Sequence, residues 1–167
     1  MERRTILNIV IVVLMAIGLG LLSNSAISQQ KSLKEQLVGA WSFVSSKGPD
    51  GSSRENRKGL FIMTDSGHFS WQVFYIDRPH IASNNRSNAT ADELKALNQG
   101  TLAYFGTYSV DETDKVVTFL TQASTFPNSE GEAIKRIITK VTADELTYFN
   151  PANVDGVRVE TVWRRAK

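Results

Sequence analysis

Residues 101–122 read TLAYFGTYSVDETDKVVTFLTQ. Two runs dense in β-branched and aromatic residues flank DETD at 111–114, the pattern of two strands around a tight turn. Alternation in the first run sends Tyr104, Gly106 and Tyr108 to one face and Phe105, Thr107 and Ser109 to the other. A glycine weakens a strand, so its place between two tyrosines needs a reason. Either a bound molecule takes the space of the missing side chain, or a bend, a bulge or a side chain from across the structure requires it.

The same strand character recurs along the chain in eight short runs, at 39–46, 59–64, 68–75, 101–110, 115–122, 133–141, 145–150 and 157–164. One helix is predicted at 91–99, where Thr90 and Glu93 form a capping box and Gly100 supplies the stop. A shorter helical turn is predicted at 32–37. The connections alternate in length: 47–58, 76–100, 123–132 and 151–156 are the longer ones, and 65–67, 111–114 and 142–144 are tight. In an up-and-down order, successive connections fall at opposite ends, which gathers the longer loops at one rim. The expected fold is therefore all-β, an eight-stranded antiparallel up-and-down β-barrel with one short helix in its mouth loop. Such a barrel either fills its lumen with side chains or holds one small ligand.

Strand parity assigns an aromatic lining: Trp41 and Phe43; Phe69, Trp71 and Val73; Leu102, Tyr104 and Tyr108; Val157, Val159 and Trp163. Ser42, Ser70, Gln72, Thr107, Arg158 and Glu160 fall on the outer face. The second, fifth, sixth and seventh strands are apolar on both parities, which leaves their orientation open. Arg136 alternates with Ile134 and Ile138, so the three point the same way. Inside the barrel, the arginine would need a carboxylate, which a ligand could supply; outside, its stem would cover apolar surface.

The N-terminus begins with Arg3 and Arg4, continues with an apolar run at 9–22 and ends in Ala26-Ile27-Ser28. That is the order of a secretory signal peptide, so the expected organisation is a leader at 1–28 and one domain at 29–167, secreted or periplasmic. The alternative is an uncleaved anchor, although the run is short for a membrane span. A membrane is a partner only in that case. The 167 residues include no cysteine, which excludes a disulfide framework and a thiolate nucleophile. Cleavage would remove Arg3, Arg4 and Glu2 from 19 basic and 17 acidic residues, and the near-neutral remainder gives no electrostatic case for nucleic acid.

Little else in the sequence points to chemistry. His68 and His80 lack metal-site spacing, so neither a metal nor a cofactor is expected. Asp111, Glu112 and Asp114 cluster in a tight turn, where a solvated hairpin accounts for them. The sequons at 85–87 and 88–90 lie in an Asn/Ser-rich loop and are read as loop. No Ser-His-Asp arrangement can be assembled.

Gly39-Ala40-Trp41 at the start of an eight-strand barrel resembles the lipocalin G-x-W signature. From 37 to 165 the chain resembles the bacterial and fungal lipocalin-like domain family, in order through LVGAWSFVSS, Asp50-Gly51, GLFIMTDSGHFSWQ, Arg78-Pro79, TADEL, YFGTYSVDE, FPNSEG, the KR pair at 135–136 and the closing VWRR. The resemblance implies that Trp41 plugs one end and that an arginine after the last strand, here Arg165, packs across it as a cation–π closure beside Gly39. The family pattern carries a His-His pair where this chain has Phe119-Leu120, and a Trp where it has Ser129. The lumen here is accordingly expected to be more apolar.

The function expected from these readings is an exported protein that binds a small hydrophobic molecule inside the barrel, with Phe43, Phe69, Trp71, Tyr104, Gly106, Tyr108, Phe119 and Arg136 as candidate contacts. The alternatives are an isomerase- or cyclase-type enzyme in the same cavity, using Tyr104, Tyr108 and Arg136, and a filled barrel whose surface binds another protein.

Overall fold

The computed structural model describes residues 31–48, 50–151 and 158–167. The expected leader at 1–28 and the expected lining residue Val157 lie outside the described residues.

Among the described residues nine strands form one antiparallel sheet: β1 (Gly39–Lys47), β2 (Ser53–Arg54), β3 (Arg57–Met63), β4 (His68–Tyr75), β5 (Thr101–Asp111), β6 (Val116–Ser124), β7 (Ala133–Val141), β8 (Glu145–Phe149) and β9 (Glu160–Arg165). β1 pairs with β3 on one side and with β9 on the other, which closes the eight longer strands into a barrel. Each of the eight predicted runs corresponds to one barrel strand. β2 was not predicted: two exposed residues carry no alternation, and they pair only with Ser46 and Lys47 at the rim.

α1 (Leu33–Leu37) precedes the barrel, and α2 (Ala91–Gln99) lies between β4 and β5. Both open with a capping box, Ser32 with Glu35 and Thr90 with Glu93. The turns after β3, β5 and β7 share one rim, which we call the closed end. The longer connections after β1, β4 and β6 share the other rim, the mouth.

Register settles the faces that alternation left open. Phe61 opposes Trp41 and Trp71, which turns Phe61 and Met63 of β3 inward. Phe119 opposes Tyr108 and Ile134, so β6 presents Val117, Phe119 and Thr121 to the lumen and β7 presents Ile134, Arg136 and Ile138. Ile138 opposes Tyr148, which brings Tyr148 and Leu146 of β8 inward.

The register shifts at two places that matter for the lining. After the irregularity between Phe43 and Ser45, Ser46 faces inward opposite Thr161 and is buried. The shift between Phe105 and Gly106 brings the β6 main chain against Gly106. Leu102 corrects the parity reading in another way. It keeps the parity of Tyr104 but occupies the rim, where it remains 42% exposed.

Candidate functional site

The closed end is sealed from several directions. Trp41 is fully buried, and its indole Nε1 donates to Leu37 O at 2.8 Å. The Arg165 guanidinium lies 3.8 Å from the centre of the Trp41 ring and donates to Val38 O at 2.7 Å, Gln36 O at 3.0 Å and Ala143 O at 2.9 Å. Gly39 is the residue this closure requires. Its φ is +131°, and a Cβ there would stand 2.5 Å from Arg165 Nη1. Glu112 accepts from the N–H groups of Leu33 at 2.7 Å and Lys34 at 3.0 Å, so this carboxylate holds the start of α1 against the turn.

Above this plug the lumen is packed with rings. Phe61 and Phe119 meet edge to face at 5.8 Å, and Phe69 meets Phe119 at 4.8 Å. Trp163 contacts Phe61 and Phe43, each at 5.5 Å. Tyr108 lies low in this stack. Its phenol donates to Thr64 O at 2.6 Å, which commits it to the β3–β4 turn.

Trp71 marks the top of the packed region. It stacks on Tyr104 at 4.9 Å, meets Trp163 at 5.9 Å, and its Nε1 donates to the Tyr148 hydroxyl at 3.1 Å, which ties β4 to β8 across the barrel. Arg136 reaches this level from β7, its guanidinium carbon 5.7 Å from the centre of the Tyr148 ring. Phe43, Trp71, Ile134 and Arg136 all face inward yet are only half-buried. The solvent-accessible parts of these four inward side chains define what we call the cup.

Burial pushes the Tyr104 phenol well above its ordinary range, with neighbouring Arg136 opposing that shift. The Tyr108 phenol is raised as well, by burial and then by Asp65. Tyr104 is therefore a neutral hydroxyl at physiological pH, a donor rather than a base. Four buried polar atoms, Ser46 Oγ, Thr121 Oγ1, Asn150 Oδ1 and Trp163 Nε1, have no hydrogen-bond partner among the described residues.

At Gly106 no side chain is missing from the lining. A Cβ there would run into the carbonyl oxygen of Leu120 and stand 3.0 Å from Gln122 N. The β6 main chain occupies the space read as room for a ligand, and the bulge accounts for the glycine. The candidate contacts therefore divide. Phe43, Trp71, Tyr104 and Arg136 gather around the cup, Phe69, Phe119 and Tyr108 lie in the stack beneath it, and Gly106 belongs to the wall.

The tryptophan–arginine closure beside a left-handed Gly39 is joined by a match over nearly the whole barrel: the family model for the lipocalin-like domain covers residues 38–166. The chain belongs to the lipocalin-like domain family. No curated protein matches the sequence. Among solved structures, a lipocalin-like protein from Bacteroides uniformis is 15% identical, with a TM-score of 0.46 over 78% of this chain and 99% of its own. A redesigned β-barrel, mFAP1, bound to DFHBI, is 14% identical, with a TM-score of 0.42 over 81% of this chain and 100% of its own.

Within this lipocalin-like barrel, the neighbours Phe119 and Leu120 face opposite ways. Phe119 is buried among rings, whereas Leu120 is 46% exposed on the outer wall. Sequence reasoning missed Tyr148, the residue that joins Trp71 to Arg136. The signal was present in the shared parity of Leu146 and Tyr148, but Leu, Thr, Tyr and Phe in succession do not show which parity faces inward.

Proposed function

We propose that this lipocalin-like protein is exported and holds one small hydrophobic molecule in the mouth half of its barrel. The observation that carries the reading is the access of inward aromatic rings to solvent. Phe43 and Trp71 face the axis but are half-buried, above a floor where Phe61, Phe119 and Trp163 are withdrawn from water. Apolar surface held open inside a closed barrel is what a small apolar ligand would cover.

Native mass spectrometry of protein purified from its own host tests this directly. A second population, heavier by one small molecule and lost on unfolding, is expected. Bare protein at every charge state, together with no uptake of a neutral fluorescent probe, would count against it. Export is tested by intact mass: a mature chain beginning after Ser28 is expected, whereas a full-length chain in the membrane fraction would support the anchored alternative.

One observation favours a second reading, an isomerase- or cyclase-type enzyme. Tyr104 is a neutral phenol beside a guanidinium, a pairing able to polarise a carbonyl or donate a proton to an oxyanion. Turnover that disappears in Tyr104→Phe while ligand uptake persists would establish it over simple binding.

A further inference from the structure

We infer that the ligand of the cup is an amphipathic acid whose carboxylate is received by Arg136, an inference that rests on the reading of the cup as a ligand site. Arg136 stands between inward Ile134 and Ile138 and opposite Val117, which is fully buried. Its guanidinium lies over the Tyr148 ring at 5.7 Å, and Nη1 donates to the Lys135 carbonyl at 2.8 Å. Among the described residues the only ion pair is Lys140–Glu145, so no described carboxylate neutralises Arg136.

A guanidinium carries five N–H donors in a planar fork, and withdrawing it from water without an anion is costly. Among the described residues it donates to the Lys135 carbonyl and stands within reach of the Tyr104 hydroxyl, which leaves the remaining N–H groups of the fork free. The local chemistry is that of a monoanion site. One cation faces one neutral phenol donor, Tyr104, and a planar carboxylate fits the fork through two parallel bonds. A phosphate dianion would call for a second cation, and Lys135 on the same strand is exposed on the opposite face. Beside the guanidinium, Tyr104 stacks on half-buried Trp71, whose accessible ring surface is apolar cover for the rest of the molecule.

The test uses three probes with the full-length mature protein: cis-parinaric acid, its methyl ester, and neutral N-phenyl-1-naphthylamine. The wild type is expected to bind the acid at least about tenfold more tightly than the ester, as a charge-assisted bidentate contact implies. In Arg136→Gln the acid-to-ester ratio should fall to about one, and in Arg136→Lys it should be intermediate, with circular dichroism and thermal unfolding confirming that each variant is folded. Equal affinity for acid and ester in the wild type, with the neutral probe bound, would overturn the inference about the acid and leave the cup as a neutral site. A preference for the acid that survives in folded Arg136→Gln would also overturn it, by moving the anion contact elsewhere. Failure of all three probes to bind would overturn the cup reading and this inference with it.

Discussion

Trp41 and Trp71 both point at the barrel axis, one in the closed-end plug and one at the top of the packed rings, and their surroundings differ in kind. Around Trp41 the donors are matched: its indole N–H reaches a backbone carbonyl, and the arginine stacked on it donates to three more. At Trp71 the indole N–H reaches a side-chain hydroxyl, and the nearby arginine has one backbone acceptor and no described carboxylate. An aromatic–arginine pair serves structure where its hydrogen bonds are used up inside the chain. Where they are left over beside accessible apolar surface, the same pair has capacity for something else.

The largest expected effect separates the two tryptophans. Trp41→Ala removes a fully buried ring and leaves Arg165 without its platform, and it should cost about 3 to 5 kcal/mol of stability. Trp71→Ala removes a ring that is only half-buried, and should cost about 1 to 2 kcal/mol because less of it is withdrawn from water. Probe uptake should show the reverse order. Trp71→Ala abolishes it, while Trp41→Ala, assayed well below its lowered melting temperature, retains it. Denaturant titration beside probe fluorescence measures both, and loss of uptake in a folded Trp41→Ala protein would break the division between the ends.

The next effect lies in the wall between them. Gly106→Ala drives a methyl group into the Leu120 carbonyl, and the neighbour that must move is main chain. The expected cost is about 1 to 3 kcal/mol, as for other overpacked sites. Probe affinity at a temperature where the variant is folded should be unaltered. A stable alanine variant with weakened uptake would return this position to the ligand site.

Gly106 also shows what a single sequence conceals. Strand positions, the capped helix and the ends of the barrel were legible, because period-2 alternation, Thr90 with Glu93 and the order of long and tight connections are local signals. Bulges are not local signals, since the extra residue that turns Ser46 inward or crowds Gly106 is defined only by the strand opposite. Arg136 was undecidable for a related reason. β7 is apolar on both parities, with Ile134, Ile137 and Ile138, and only pairing with Val117 selects the face. Leu102 illustrates a third gap: parity gives the side of a strand but not the height within the barrel.

A smaller effect compares the two raised phenols. Unfolded tyrosines ionise near pH 10, and the fold keeps Tyr104 and Tyr108 neutral beyond that. Above the unfolded value, the unfolded chain binds fewer protons than the native one, so stability is complete below about pH 10 and falls as pH rises beyond it. Tyr104→Phe should flatten this alkaline decline at little cost at neutral pH. Tyr108→Phe should flatten it too, but should lower stability at neutral pH because Thr64 O loses the phenol's 2.6 Å hydrogen bond and keeps only that from Gly67 N at 3.2 Å. Urea titrations at pH 8 and pH 10.5 resolve the two, and an unchanged alkaline decline in Tyr104→Phe would place the charge-sensitive group elsewhere.

The smallest effect on the barrel concerns the segment that joins β4 to β5 at the mouth rim. α2 buries none of its residues, and Leu94 remains 49% exposed, so packing contributes little to holding it. What fixes it is polar. Glu93 accepts from Thr90 N at 2.7 Å and from Ala82 N at 2.8 Å, closing the capping box and tying the preceding loop to the helix. Those N–H groups, Ala82 first and then Thr90, hold the Glu93 carboxyl below its usual range. A lowered folded value means that the contribution is present above the unfolded carboxylate value and is lost as pH falls through the lowered one. Residues 82–99 should therefore exchange amide hydrogens faster in acid while the strands remain protected, and Glu93→Gln should bring much of that change to neutral pH with the melting temperature almost unmoved. α1 provides the internal comparison, because its N-terminal N–H groups also bond Glu112 and its Leu33 and Leu37 are buried at the closed end. If α1 and α2 lose protection together in acid, capping alone governs both helices. If α2 goes first, burial is what distinguishes the plug from a cover free to admit a ligand.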